Sequence, residues 1–202
     1  MEFCPVDSEL HYKVLDHLPK IPQHLVEGDW LGEEHFKWSS TVSFNYSDKS
    51  SKTGPVIVTN EIKSEALKLW LREHIETNLN SVLYRKVLVT PEQNFYPPHI
   101  DVRRNFALMY NLNDSGGDVV IWKEKDKPMI QGSTLPTGRP KLFNDYSLLE
   151  EVHRFSPPVN TWYIINSQAI HSVENLQGVR EGLHIACTVH SPHVQLLKPA
   201  LV

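Results

Sequence analysis

His99 and Asp101 stand two residues apart in PPHIDVRRNFALMYNLN, residues 97–113, just ahead of an apolar run. An imidazole and a carboxylate at that spacing can share one metal ion if the chain is extended, because residues two apart on a strand point to the same face. On a helix the same spacing separates them by about 200° around the axis. His74 and Glu76 make a second His-x-acid pair, but they fall in the most helix-like segment of the chain and are set aside on that geometry. Chance competes with a metal site. With 11 histidines in 202 residues, composition alone gives about one His-x-Asp in every two such chains, so context has to decide.

Two ligands leave a transition metal underheld. The facial triad of non-haem Fe(II) takes two histidines and one carboxylate and leaves positions open opposite them. In the second half of the chain the candidates for the other histidine are His153, His171, His184, His190 and His193. His171 is preferred. It follows the apolar run TWYIIN, opens the segment HSVENLQGVREGLHIACTV, and has Arg180 nine residues further on, at the head of the next apolar run.

These residues need a scaffold. From residue 86 onwards, short segments rich in Val, Ile and aromatics (KVLVT, FALMYNL, DVVIW, TWYIIN and LHIACTV) are separated by Pro, Gly, Asn or Asp. That pattern predicts an antiparallel sandwich or barrel. NDSGGD, between two of these segments, carries a hairpin-type turn signal. His99 and Asp101 fall at a strand start or end. The first 85 residues predict a support with helices. The segment NEIKSEALKLWLREHIETNLNSVLY has apolar residues at Ile62, Ala66, Leu69, Trp70 and Ile75, and Asn60 in a position to cap it. A further short helix is expected in DYSLLEEVHRF, within a Pro- and Gly-rich excursion from Lys123 to Asn160.

Composition narrows the class. Hydrophobic content of 40% and charged content of 22% suit a soluble globular domain. A net charge of -4 and a pI near 6.2 provide no basic field for nucleic acid. Cys4 and Cys187, the two cysteines, lie at opposite ends of the chain and suggest no disulfide framework. MEFCPVDSEL has neither a basic n-region nor an apolar h-region, and no apolar run reaches membrane-span length. The expectation is a cytoplasmic protein with no signal peptide and no membrane segment.

Taken in order, His99, Asp101, His171 and Arg180 resemble the pattern of the Fe(II)/2-oxoglutarate-dependent dioxygenases: His-x-Asp, a distal His, then a basic residue about ten positions on. YNLNDSGGDVVIW is similar to the hairpin between the metal residues in the prolyl-hydroxylase branch, and HSVEN…R to the aspartyl/asparaginyl-hydroxylase branch. The likeness covers roughly residues 86–190. It implies a mainly β fold: a double-stranded β-helix (jelly roll, cupin-like) core over 86–190, a mixed α/β support with helices over 1–85, and a tail over 191–202, all in one oxygenase domain. It further implies Fe(II) on His99, Asp101 and His171, with 2-oxoglutarate and O2 as cosubstrates and succinate and CO2 as products. Arg180 would hold the far carboxylate of 2-oxoglutarate through its planar fork.

Two positions depart from the family pattern. Where many members have a tyrosine that helps bind 2-oxoglutarate, this chain has Asn111, with Tyr110 shifted by one; both remain candidates for cosubstrate binding. Gly182 stands where Ser or Thr is common and is expected to leave room for a ligand or a water. If the strand carries on past Asp101, parity puts Arg103 on the face of His99 and Asp101; the same count puts Gly182 and His184 on the face of Arg180. Arg103 and His184 are therefore the candidate substrate-binding residues. The substrate expected is a free amino acid or a peptidyl residue, such as proline, read by loops at 28–55 and 123–160. The rival is a cupin-like metal-binding or sensor protein without oxygenase activity, which would have no need of Arg180.

Overall fold

The computed structural model describes residues 12–39, 56–75, 82–89, 94–101, 106–125, 141–142 and 146–187. Arg103, His190, His193 and Cys4 lie outside these, as do parts of the two loops expected to read substrate. Twelve strands are described: β1 (Tyr12–Val14), β2 (Leu31–Ser39), β3 (Val56–Ile62), β4 (Val82–Leu88), β5 (Tyr96–Ile100), β6 (Phe106–Asn111), β7 (Asp118–Glu124), β8 (Lys141–Leu142), β9 (Leu149–Phe155), β10 (Trp162–Asn166), β11 (Ile170–Glu174) and β12 (Arg180–Cys187). One α-helix, α1 (Glu65–Ile75), falls among the described residues.

The strands form two antiparallel sheets. The larger has the order β1-β10-β6-β12-β4-β3-β2, the smaller β8-β5-β11-β7-β9. From β4 the chain passes to the small sheet for β5, back for β6, across for β7 and β9, back for β10, across for β11 and back for β12. Two four-stranded layers wound in this order, β10-β6-β12-β4 over β9-β7-β11-β5, make a jelly roll, the double-stranded β-helix. β1, β2 and β3 lengthen the large sheet, and β8 edges the small one.

Period-two alternation decides what each strand shows to each side. On β6, Leu108 and Tyr110 face the outer core while Ala107 and Met109 face inward. On β10, Trp162 and Ile164 face out and Tyr163 and Ile165 face in. On β12, Leu183, Ile185 and Cys187 join the outer core, which leaves Arg180, Gly182 and His184 on the inner face. The outer core lies under α1, which contributes Leu67, Leu71 and Ile75. Each such fully buried side chain contributes about 1.5–3 kcal/mol relative to an exposed one.

Several expectations are corrected here. Among the described residues, the part ahead of β4 contributes three strands and one α-helix rather than several helices. That helix starts later than the sequence pattern indicated. Asn60 belongs to β3, and Ser64 is the cap, its Oγ accepting the Leu67 N–H at 3.2 Å. The buried stripe is accordingly Leu67–Leu71–Ile75, with Ala66 and Leu69 exposed. The segment expected to be a helix at DYSLLEEVHRF is a 3-10 turn, Tyr146–Leu148, followed by β9. NDSGGD closes no hairpin, because β6 and β7 belong to different sheets. It carries the chain between layers, with Asp114 Oδ1 accepting the Gly116 N–H at 2.9 Å and Gly116 at φ +63°.

Candidate metal centre

β5 has the unusual sequence Tyr-Pro-Pro-His-Ile. Proline offers no ladder donor, and strands accept it mainly at edges and bulges. Here the register against β11 slips: His99 pairs with His171, but Tyr96 pairs with Val173. The extra residue of this bulge turns Tyr96 toward His99, with the rings edge-to-face and centroids 4.4 Å apart. Bulges commonly re-aim side chains in this way next to functional sites.

The same register sets His171 directly beside His99, ring centroids 4.2 Å apart. Asp101 follows the last residue of β5. Its Oδ1 is 3.9 Å from His99 Nε2 and its Oδ2 is 4.0 Å from His171 Nε2. All three side chains are buried, and one donor atom from each lies within 4.8 Å of the others. Among the described residues this is the one such group of His, Cys, Asp and Glu.

The imidazoles are oriented for ligation. His99 Nδ1 lies 2.8 Å from the Pro97 carbonyl oxygen, and His171 Nδ1 lies 2.9 Å from that of Ala169. A carbonyl only accepts, so each Nδ1 carries the proton and donates. Each Nε2 then presents its lone pair toward Asp101, which is the tautomer a metal requires. Two neutral imidazoles and one carboxylate suit a first-row divalent metal with open positions.

On the inner face of the large sheet, Arg180 is buried. Its Nη2 donates to the Tyr163 hydroxyl at 2.8 Å, and that hydroxyl donates to Asn111 Oδ1 at 3.1 Å. Arg180 Nη1 is buried with no hydrogen-bond partner, and among the described residues Arg180 has no carboxylate within ion-pair distance. An unsatisfied buried donor costs about 1–3 kcal/mol, more when charged. An anion would satisfy such a donor. Burial pushes the Tyr163 hydroxyl above its ordinary pKa, and the Arg180 charge and the hydrogen bond from Arg180 offset part of that. Tyr163 therefore stays neutral and keeps its proton to donate.

The structure thus brings His99, Asp101 and His171 into one cluster and Arg180 and Asn111 into one network. His184 is buried on the same inner face as Arg180, at the Met109 register. Tyr110 is not in that network. It sits one residue out of phase, in the outer core, where its hydroxyl accepts the Ile21 N–H at 3.2 Å. The space expected above Gly182 is also absent. A Cβ there would come within 2.6 Å of the Tyr110 carbonyl oxygen, so glycine is required by the neighbouring strand. Tyr163 is the residue that sequence reasoning missed. TWYIIN reads as plain core, and the available signal was parity: Tyr163 alternates with Trp162 and Ile164 and so faces the inner side with a polar tip.

No family model and no curated protein sequence matches the chain. Among solved structures it is similar to an oxidoreductase of the 2OG-Fe(II) oxygenase family from Burkholderia pseudomallei, at 15% identity over 67% of this chain and 69% of that one, with a TM-score of 0.39. It is also similar to the non-haem α-ketoglutarate-dependent epimerase SnoN from nogalamycin biosynthesis, at 10% identity over 81% and 70%, TM-score 0.38. A single-site mutant of Bacillus subtilis oxalate decarboxylase matches at 14% identity over 68% of this chain and 26% of that one, TM-score 0.33. The jelly roll itself is read from this chain's own strand order.

Proposed function

We propose that this chain is a non-haem Fe(II)- and 2-oxoglutarate-dependent oxygenase that hydroxylates a free amino acid or a peptidyl residue, such as proline, releasing succinate and CO2. The observation that carries this reading is the pairing of a buried His-Asp-His cluster with a buried arginine that lacks an anion. A cupin-like metal protein without oxygenase activity would need the first and not the second.

The donor set fits the metal: His99 and His171 through Nε2, Asp101 through its carboxylate. Fe(II) with 2-oxoglutarate and O2 would supply the oxidising power for C–H hydroxylation. The chain's own residues do the rest. Arg180 Nη1 binds the far carboxylate of the cosubstrate. Tyr163 fixes the guanidinium plane by accepting from Nη2, and Asn111 fixes Tyr163. The fully buried position of Tyr163 keeps bulk water from competing for these bonds. His184 and Arg103 are proposed on the substrate side. Among the described residues no helix is long and apolar enough to cross a membrane, and a cytoplasmic location is part of the proposal.

The test is anaerobic addition of 2-oxoglutarate to the Fe(II)-loaded protein, followed by its visible charge-transfer band. A saturable band that is lost in Arg180→Ala is expected. Iron binding with no band in the wild type would turn the reading toward a cupin-like metal protein.

A further inference from the structure

Asp101 is the one member of the cluster that no strand holds. β5 ends at Ile100, so the carboxylate hangs from a residue with no place in the ladder. Its backbone is nevertheless fixed at both polar groups, and both partners belong to one turn. The Asp101 N–H donates to the Ser167 carbonyl oxygen at 2.9 Å, and Gln168 Nε2 donates to the Asp101 carbonyl oxygen at 2.8 Å. That turn, Asn166 to Ala169, links β10 to β11. Asn166, almost wholly buried, braces it from inside: its Oδ1 accepts the Gln168 N–H at 2.9 Å, and its carbonyl oxygen accepts the Ala169 N–H at 3.3 Å. The carbonyl of Ala169 then holds His171 Nδ1.

We infer that Gln168 is a positioning residue for the Asp101 carboxylate, and that the Asn166–Ala169 turn sets Asp101 and His171 relative to each other as one unit. This rests on the reading of His99, Asp101 and His171 as a metal site. The side chain that matters must be a donor, because its target is a carbonyl oxygen, and it must span from the turn to the strand end. Glutamine does both. Removing such outer partners of a ligand typically lowers metal affinity about 10- to 100-fold.

The test uses full-length, metal-free protein titrated anaerobically with Fe(II), and with Co(II) for its ligand-field spectrum. Gln168→Met keeps the length and removes the donor. Gln168→Lys restores a donor. Gln168→Glu keeps the shape but sets oxygen against oxygen, and gives a second loss-of-donor variant should the methionine variant fold poorly. The expected result is about a tenfold or greater loss of affinity in Gln168→Met and Gln168→Glu, with a changed Co(II) spectrum. The melting temperature of the metal-free protein should be unchanged, and Gln168→Lys should recover affinity. Wild-type affinity in both loss-of-donor variants overturns the inference and leaves the metal site standing. Equal losses of affinity and of metal-free stability, with no recovery in Gln168→Lys, also overturn it, because the role is then structural. A wild-type protein that binds neither ion overturns the metal reading itself.

Discussion

Tyr163 and Arg180 are joined by a 2.8 Å hydrogen bond between the phenol oxygen and Nη2, on an inner face where Tyr163 also packs with Ala107, Met109 and Ile165. The bond fixes one side of the guanidinium and leaves Nη1 without a partner. Arg180→Ala should therefore weaken 2-oxoglutarate binding by roughly 100-fold, the scale of charge-assisted hydrogen bonds, while metal affinity is retained. Tyr163→Phe should weaken it about tenfold, through loss of one orienting bond. Equilibrium titration of each variant with 2-oxoglutarate checks both values.

Asp101→Ala removes the sole carboxylate from the cluster and should abolish Fe(II) binding outright. His184→Ala, on the large sheet and outside the cluster, should leave Fe(II) affinity close to that of wild type. Anaerobic metal titration separates the two, and a large loss in His184→Ala would return that residue to the ligand set.

Gly182→Ala should destabilise the fold by about 1–3 kcal/mol. The new Cβ would meet the Tyr110 backbone oxygen at 2.6 Å, and a strand in mid-sheet cannot move aside as a flexible side chain would. Urea unfolding measures the loss. An alanine variant as stable as wild type would mean that the β6–β12 ladder is looser than its register implies.

On the outer face of the small sheet, Asp118 accepts from Ser156 at 2.6 Å, from Asn175 at 3.4 Å and from Arg154 at 3.5 Å. Chiefly the Ser156 bond, with help from Asn175 and Arg154, holds its carboxyl below the usual carboxylate range against the opposing effect of burial. A depressed folded-state value means the unfolded chain binds the proton first as pH falls. The stabilisation is thus complete above the ordinary value near 4 and is lost as pH drops through the folded value. For a group at the surface its size is at most about 1 kcal/mol. Stability curves of wild type and Asp118→Asn, run from neutral into acid, should converge at the acid end.

Much of this architecture was legible, and the residues explain which parts were. The runs KVLVT, FALMYNL, DVVIW, TWYIIN and LHIACTV overlap β4, β6, β7, β10 and β12, because β-branched and aromatic runs of that length leave little choice. β9 was hidden. Its Glu150, Glu151, His153 and Arg154 are exposed on the outermost strand of a sheet, where charge guards against edge pairing, so apolar alternation is lost. NDSGGD misled because a tight turn signal reports local backbone shape and says nothing about whether the flanking strands pair or part. The shift of α1 from Asn60 to Ser64 has a similar origin: either residue can cap, and the pairing of β3 with β2 and β4 claimed Asn60 for a strand. Tyr163 could not be weighed until β10 was seen to have an outer and an inner side.

The direct pairing of His99 with His171 has a consequence for how the small sheet holds together. β5 and β11 are neighbours in space but are separated by most of the core sequence. An ion shared between them would act as a removable cross-link over that long chain segment. Closing such a loop in the unfolded ensemble is entropically costly, so a cross-link present only in the native state favours folding well beyond the few bonds it makes locally. Chelators should accordingly loosen β5, β8 and the β10–β11 turn together, and amide exchange in those segments would record the occupancy of the centre.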